Sequence, residues 1–432
     1  MRRHEQTEVL VVGAGPVGMF TALRLAENGI RVQLIDQESG TAGRSYACAL
    51  HPRTLQLMNE AGIAQDAIKL GRRMDKLAFY DSTIRRAELD FSRLPVEFPF
   101  VLALEQSALE DLLAAKLRER AGLEIRWNHR LADLTLADDG VTATIDEMDM
   151  SGKGYVIPDF EMEVKKTISD RAVFVVGTDG LGSVVRQRLN LDFQCAGGPQ
   201  LFVLYDFETD ELPSEAKIVL NQHTAGALWP FPGNKARWCF QWLPADEPPD
   251  DLPEKVRTRL LVAEAPGPGK PWHRHLQKLL DERAPWFHGR IQDIVWAEDM
   301  PCEHRLARRF GRDRAWLAGD AAHQTGPIAM QSMNLGLAEA ADLAAKLTQI
   351  LRENGSPDLL ETYNLEHRLE WEQLLGWKNG PQPGATTNEW VREHSANLPA
   401  CIPASGQELA LLLRQLGLEF EPATPQFTNA SL

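Results

Sequence analysis

The first forty residues alternate between apolar runs and one amphipathic segment. Glu8–Val12 (EVLVV) is typical of a buried strand, Met19–Asn28 (MFTALRLAEN) has helical spacing, and Ile30–Ile35 (IRVQLI) predicts a second strand. Gly29 stands where the helix must end. This order predicts a βαβ unit, in which a helix joins two parallel strands and packs on them.

The strand, turn and helix order returns in two later stretches. Ala172–Leu189 (AVFVVGTDGLGSVVRQRL) predicts one such unit, and RAWLA followed by Gly319–Asn334 (GDAAHQTGPIAMQSMN) and LGLAEAADLAAKLTQIL predicts another. Half-buried strands are predicted between them, in LFVLYDFETDEL, KIVLNQHTAGALWPF and KARWCFQWLP. Further helices are predicted in EKVRTRLLVAE, KPWHRHLQKLLDERAPW, LLETYNLEHRLEWEQLLGWKN and LALLLRQLGL, the last as a single amphipathic helix. The predicted fold class is α/β, with α+β character overall.

Composition restricts the possible functions of the protein more than it restricts its possible folds. The 432 residues are 44% hydrophobic and 25% charged, and the net charge of -15 argues against general nucleic-acid binding. The sequence contains neither a long apolar run nor a signal-peptide pattern, so we expect no membrane span and a cytoplasmic protein. Five scattered cysteines without CxxC spacing predict unpaired thiols and no metal site.

A glycine-rich turn follows the first strand. Gly13, Gly15 and Gly18 form GxGxxG, where the first glycine permits a tight turn, the second lets a pyrophosphate approach the backbone, and the third allows close helix–strand packing. The second strand ends at Asp36, 21 residues after Gly15, where a carboxylate can accept hydrogen bonds from ribose hydroxyls. The complete unit predicts an adenine dinucleotide, and the acid favours NAD or FAD over NADP at this site.

Further positions bear on the choice of dinucleotide. Arg44 lies in a loop before a helix, where it can pair with phosphate oxygens, and Gln106 begins another helix. Asp179 lies in the Gly-Thr-Asp-Gly turn, and Asp320 follows the strand RAWLA. Three of these residues have a specific structural alternative: a solvated charge for Arg44, a helix-start residue for Gln106, and a turn residue for Asp179.

In this order the motifs resemble the FAD-dependent aromatic hydroxylases, single-component flavoprotein monooxygenases of the para-hydroxybenzoate hydroxylase type, over roughly residues 7–350. The resemblance implies a Rossmann-like FAD-binding domain formed by residues 1–72, 99–185 and 296–380. It also implies an inserted mixed-sheet substrate domain of residues 73–98 and 186–295, and leaves 381–432 as a C-terminal helix and tail. The residues expected at the cofactor are Gly13, Gly15, Pro16, Val17, Gly18, Asp36, Gln37, Arg44, Gln106, Leu131, Asp179, Gly319, Asp320, Pro327, Met330, Ser332, Met333 and Asn334.

One loop departs from the pattern of these hydroxylases, which usually continue GDAAHxxxPxxGQGxN. Pro327, Gln331 and Asn334 match, whereas Met330 and Ser332 replace the two glycines. Glycine there provides either room for a flavin that moves or a backbone with positive φ. The departure therefore bears on flavin mobility and on the shape of the substrate face; a different loop conformation with the same task is the alternative.

The resemblance implies a reaction as well as a fold. NADPH or NADH would reduce FAD, O₂ would form a flavin C4a-hydroperoxide, and one oxygen atom would pass to an aromatic or polyketide-like substrate. His223, Trp229 and Trp238 are weak candidates for lining the substrate site, and no catalytic base is assigned. For the aromatic residues the alternative is a sheet face packed on helices, and for His223 it is a structural or exposed side chain. The alternatives are another FAD-dependent oxidoreductase of this fold (an epoxidase, a halogenase or a reductase) or a non-catalytic flavin-binding relative. A monomer or a homodimer is expected.

Overall fold

A computed structural model of the chain describes residues 7–43, 46–153, 159–221, 224–243 and 271–422. The strands are β1 Thr7–Val12, β2 Val32–Ile35, β3 Ala49–Leu50, β4 Arg72–Met74, β5 Lys76–Asp81, β6 Ile84–Asp90, β7 Val101–Ala103, β8 His129–Ala137, β9 Gly140–Lys153, β10 Asp159–Gly177, β11 Phe193–Thr209, β12 Ala216–Leu220, β13 Ala225–Pro230, β14 Lys235–Trp242, β15 Ile291–Ala307, β16 Gly311–Arg312, β17 Ala315–Leu317, β18 His323–Gln324, β19 Gln382–Pro383 and β20 Leu418–Glu419. The α-helices are α1 Pro16–Glu27, α2 Pro52–Glu60, α3 Ala64–Leu70, α4 Gln106–Ala121, α5 Val184–Arg188, α6 Pro271–Arg283, α7 Gln331–Arg352, α8 Asp358–Leu374, α9 Glu389–His394, α10 Leu398–Cys401 and α11 Gly406–Gln415.

The first sheet carries the predicted βαβ unit. Its order is β16-β17-β10-β1-β2, with β9 pairing β10 and β8 pairing β9. Strand β1 is parallel to β2 and β10, and β10 is parallel to β17, so four strands end at the same edge. Helices α1 and α7 pack against each other beside this sheet. All three predicted strand–turn–helix units therefore bring their turns to one edge, where open α/β sheets bind ligands.

The second sheet is larger and mostly antiparallel. Its eight strands have the order β18-β15-β11-β14-β13-β12-β5-β6, and β12 with β5 is a parallel pair. One face packs on α6, where Trp238 and Phe240 join Leu276 and Leu280 in a separate hydrophobic cluster. The other face, which includes Cys239, belongs to the main core. This alternation follows from the two-residue period of a strand.

The mixed α/β fold with a Rossmann-like sheet confirms the predicted fold class. The predicted domain boundaries stay a prediction, and strand β15 runs across the one placed between residues 295 and 296. The helix predicted in EKVRTRLLVAE lies outside the described residues. No helix in the described part of the chain combines the length and apolarity that crossing a bilayer requires.

The C-terminal segment differs from the predicted single helix. Its described part forms α9, α10, α11 and the short β19–β20 pair. The first two of these helices have six and four residues, too short for a visible helical period. The segment closes over the edge strand β6, where the Gln415 side chain accepts a hydrogen bond from Asp90 N and donates one to Asp90 O, each at 2.9 Å.

Candidate functional site

The GxGxxG turn has the geometry of a phosphate cradle. Gly13 has φ +99°, and a Cβ there would lie 2.3 Å from Thr178 O. A Cβ on Gly18 would lie 1.8 Å from Gly13 O, whereas one on Gly15 would meet open space. Pro16 is the first residue of α1, and no side chain caps the helix start. Free N–H groups facing an open approach are what a pyrophosphate requires.

A cavity of about 340 Å³ adjoins this turn. Asp36 lies in its wall, with Oδ2 accepting from Ala14 N at 2.5 Å and Oδ1 from Glu38 N at 2.8 Å. These bonds fix the carboxylate and leave lone pairs for ribose hydroxyls. Gln37 and the buried Leu131 line the same cavity, which therefore has the position and size for an adenosine half.

Asp179 also lines this cavity, but its carboxylate is already engaged. It accepts hydrogen bonds from Ser183 Oγ at 2.6 Å, Val184 N at 2.7 Å and Val185 N at 3.2 Å, and so caps α5. Burial raises the pKa of Asp179, and these donors offset part of that shift. The structural alternative for Asp179 therefore holds, and its contact with a cofactor stays a prediction.

The Gly-Asp turn lies against the start of α1. Gly319 has φ +65°, and a Cβ there would lie 3.0 Å from the Val17 side chain. Gly336 on α7 completes the contact, because its Cβ would lie 2.8 Å from Val17 Cγ2 and 2.9 Å from Gly319 Cα. The Asp320 side chain is exposed, although desolvation by the surrounding protein raises its pKa. Sequence reasoning missed Gly336; a glycine inside an apolar helix was the available signal.

The buried Glu339 carboxylate fixes the Gly-Asp turn by accepting a hydrogen bond from its backbone. Glu339 accepts hydrogen bonds from Gly319 N at 2.8 Å, His323 Nε2 at 2.9 Å and Trp371 Nε1 at 2.8 Å. The His323 ring stacks on Trp371 with centroids 4.0 Å apart. Burial by itself raises the pKa of Glu339, but His323 and the other partners outweigh it and lower the pKa. Glu339 is a positioning residue that sequence reasoning did not assign.

The loop before α7 keeps, at Met330, the backbone conformation that glycine favours. Met330 has φ +56° and ψ +34°, in the left-handed region, and α7 starts at the next residue without a side-chain cap. Ser332 Oγ accepts a hydrogen bond from Thr325 N at 3.0 Å and so closes the loop on itself. Pro327 is buried in this loop. Of the two predicted uses of glycine, a positive φ is therefore the one that the structure retains, and it does so at Met330.

The Asn334 side chain is hydrogen-bonded within the protein, and its predicted place at the cofactor stays a prediction. Its Oδ1 accepts from His51 N and Thr54 Oγ1, both at 2.8 Å, and its Nδ2 donates to Ala49 O at 2.9 Å and Met330 O at 2.8 Å. Both hydrogens and both oxygen lone pairs are used within the protein. Met333 is 8% exposed, on the same turn of α7.

Gln106 begins α4, and its Nε2 donates to Glu110 Oε1 at 2.7 Å. Glu110 also accepts from Ala42 N at 2.7 Å, so it ties α4 to the loop that leads to Arg44. Arg44 itself lies outside the described residues. The predicted cofactor contacts of Arg44 and Gln106 stay predictions.

A second cavity, of about 530 Å³, lies between the large sheet and the loop before α7. Thr325, Gly326 and Ile328 form its side toward the Gly-Asp turn. Its other walls come from the large sheet, the end of α8 and the C-terminal segment, and include Gln200, Phe202, Leu220, Asn221, Thr224, Gln241, His304, Leu374, Trp377, Asn397 and Cys401. Because one loop borders the cavity and then leads into α7, we identify the cavity as the candidate substrate site.

Two of the predicted substrate residues lie elsewhere. Trp238 is fully buried under α6 and stacks on Phe240 with ring centroids 4.8 Å apart, so its assignment to the substrate site was wrong. Trp229 is buried in the main core and donates from Nε1 to Ile328 O at 3.2 Å, which supports the loop from behind. His223 lies outside the described residues.

His304 is the imidazole side chain among the described residues that line this cavity. Its Nδ1 lies 3.0 Å from Thr325 Oγ1, which orients the ring and leaves Nε2 for another partner. Burial lowers the pKa of His304 below its ordinary value of 6.5, so the imidazole is neutral at neutral pH. Sequence reasoning missed it, because an isolated histidine on a strand carries no local signal.

A βαβ cradle and an acid at the ribose position define a dinucleotide-binding protein, and the separate cavity is a candidate substrate site. The FAD binding domain family matches residues 6–377, and the chain belongs to this family. FAD is therefore its cofactor.

The similar proteins are monooxygenases. The chain is 29% identical over 364 residues to the 6-methylpretetramide 4-monooxygenase of Streptomyces rimosus, with 83% of this chain and 58% of that protein covered. It is 28% identical to the para-nitrophenol 4-monooxygenase of Pseudomonas sp. (strain WBC-3), with 89% and 87% covered. The crystal structure of p-nitrophenol 4-monooxygenase from Pseudomonas putida DLL-E4 shares the fold, with a TM-score of 0.70, 23% identity, and 95% and 94% covered. The chain thus spans less than two thirds of the first of these relatives.

Proposed function

We propose that the protein is an FAD-dependent monooxygenase that hydroxylates an aromatic or polyketide-like substrate. The reaction consumes one phenol, one NADPH or NADH with a proton, and one O₂, and gives the hydroxylated phenol, the oxidised nicotinamide and water. FAD supplies the electron transfer and the activation of O₂ when it is bound. The observation that carries the proposal is the 530 Å³ cavity, which Thr325, Gly326 and Ile328 border just before the chain enters α7. The names of the similar proteins support it.

Two features of the chain would support this reaction: the uncapped start of α7 and the neutral His304. The start of α7 has no side-chain cap, so its free N–H groups and dipole favour negative charge at that point. His304, neutral and held by Thr325, is placed to accept the proton of a phenol that enters the cavity. Loss of that proton makes the ring more electron-rich, which promotes transfer of oxygen to its carbon.

The test uses purified protein with its flavin. Chromatography of the released cofactor should give FAD, and FMN would contradict the site. NADPH and NADH oxidation is then followed with and without a panel of phenols, and the product is examined by mass spectrometry under ¹⁸O₂. Substrate-stimulated oxidation with one labelled oxygen in the product supports the hydroxylase. An epoxide, a halogenated product or reduction without oxygen incorporation would identify one of the related oxidoreductases instead, and flavin binding without turnover would indicate a non-catalytic relative.

The proposal also includes the domain division, the cellular location and the oligomeric state. We propose the division into a discontinuous FAD-binding domain and an inserted substrate domain, a cytoplasmic location, and a monomer or homodimer. Limited proteolysis tests the first, fractionation of the source cells the second, and light scattering during gel filtration the third.

A further inference from the structure

The polar side chains of the described residues that line the 530 Å³ cavity are not carboxylates, ammonium groups or guanidinium groups. Besides the Cys401 thiol, they are amides, hydroxyls and one imidazole, supplied by Gln200, Asn221, Gln241, Asn397, Thr224, Thr325 and His304. Within the part of the chain that the structure describes, no aspartate, glutamate, lysine or arginine lines this cavity. Apolar side chains, among them Phe202, Leu220 and Trp377, form much of the rest.

Three charged residues near the cavity have partners of their own within the protein. Glu303 and Arg305, on either side of His304 along β15, bind each other through Arg305 Nε and Glu303 Oε2 at 2.5 Å. Neighbouring residues of a strand face opposite sides of the sheet, so this pair lies away from the face of His304. Arg283 donates to the Gln241 carbonyl at 2.6 Å from the end of α6. A charged ligand would therefore find no opposite charge among the described walls.

The amides are held in defined orientations. Gln241 Oε1 accepts a hydrogen bond from Ala225 N at 3.1 Å, which leaves its Nε2 hydrogens for a neutral acceptor. Asn221 Oδ1 accepts from Thr224 N at 2.8 Å and Thr224 Oγ1 at 3.1 Å. The fixed Gln241 amide donor suits a carbonyl, ester or nitro oxygen, whereas a carboxylate loses its hydration here without gaining a cation among the described walls.

We propose that the substrate is an uncharged flat aromatic molecule that carries a phenolic hydroxyl and neutral hydrogen-bond acceptors, and that aromatic carboxylates are rejected. This inference rests on the proposed function, because it concerns the substrate of the same reaction. A cavity of about 530 Å³ is within the size range of sites for drug-sized ligands, so a two-ring phenol fills it better than a single ring.

Matched pairs of ligands test the proposal on the FAD-loaded protein. The first pair is methyl 4-hydroxybenzoate and 4-hydroxybenzoate, and the second is methyl 6-hydroxy-2-naphthoate and 6-hydroxy-2-naphthoate. Dissociation constants come from the change in flavin absorbance, and each ligand is also tested for stimulation of NAD(P)H oxidation. We expect each ester to bind about tenfold or more tightly than its acid, since an unpaired carboxylate must be desolvated. We also expect the naphthoate ester to bind more tightly than the benzoate ester.

A charge introduced into the wall should change this preference. Gln241→Lys should strengthen binding of each acid relative to its ester by about tenfold, because the ammonium supplies the missing partner. Gln194→Lys is the control: Gln194 is exposed on β11, and the same charge there should leave the ratio unchanged. Wild-type protein that binds the acids as tightly as the esters overturns this inference, yet leaves the hydroxylase intact if either stimulates NAD(P)H oxidation. Binding of no phenol by the FAD-loaded protein overturns both.

Discussion

The left-handed backbone at Met330 gives a sharp prediction about stability. Met330 has φ +56°, and a side chain in this conformation costs about 1–2 kcal/mol. Its side chain is only 4% exposed and packs in the main core. Strain and packing therefore act in opposite directions at the same residue, and substitution with alanine and with glycine separates them.

Met330→Ala and Met330→Gly remove almost the same packing. Truncation of a buried methionine to alanine costs about 2–5 kcal/mol. Glycine then relieves about 1–2 kcal/mol of backbone strain and loses about 0.5–1 kcal/mol to the freer unfolded chain. Met330→Gly should therefore be more stable than Met330→Ala by about 0.5–1 kcal/mol.

Met333 supplies the control because it is nearly as buried and lies inside α7. There, in the first turn of α7, the backbone is helical, and glycine should be less stable than alanine by about 0.5–1 kcal/mol. Urea unfolding of the four FAD-loaded variants, compared at equal slope, measures both differences. If alanine is the more stable residue at position 330 as well, the left-handed conformation of Met330 is wrong, and a differently folded loop becomes the better explanation.

Three further predictions concern the cofactor and the reaction. Asp36→Ala should weaken FAD binding while the far-UV circular dichroism stays unchanged, because the carboxylate lies at the cavity wall; an unchanged FAD dissociation constant would contradict this site. Glu339→Gln should lower the free energy of unfolding by about 1–3 kcal/mol and weaken FAD binding, since an amide NH₂ must then face one of three donors; equal melting curves and equal affinity would exclude the positioning role. His304→Gln should remove the acid limb of the kcat/KM–pH profile, which lies below pH 6.5 because burial lowers the histidine pKa; an acid limb that persists in the variant would assign it to another group.

The cofactor half of the site was predictable because its signals are local in sequence. Gly13, Gly15 and Gly18 serve one turn, and Asp36 ends the neighbouring strand, so their spacing reports their geometry directly. Glu339 was not predictable in this way. Its three donors come from residues 16 to 32 positions away along the chain, and the sequence shows only an acid within an apolar helix.

Motif matching located residues more reliably than it located side-chain directions. Asn334 stands at the expected place, yet its amide binds the segment before α2. Trp238 shows the same limit on a strand, because alternation placed it with Phe240 but did not say which face α6 covers. A face is decided by what packs on it, and that is a property of the tertiary structure.

The substrate side depends on contacts that no local pattern contains. Gln331 follows the strained Met330, and its Nε2 donates to Ile402 O at 2.5 Å and Ala404 O at 3.1 Å. Those carbonyls follow directly on Cys401, which lines the cavity. One buried side chain thus joins the start of α7, where the cofactor is expected, to the wall of the substrate site. We therefore expect a change in the loop at Met330 to affect the C-terminal wall as well as the cofactor side, through the hydrogen bonds of Gln331.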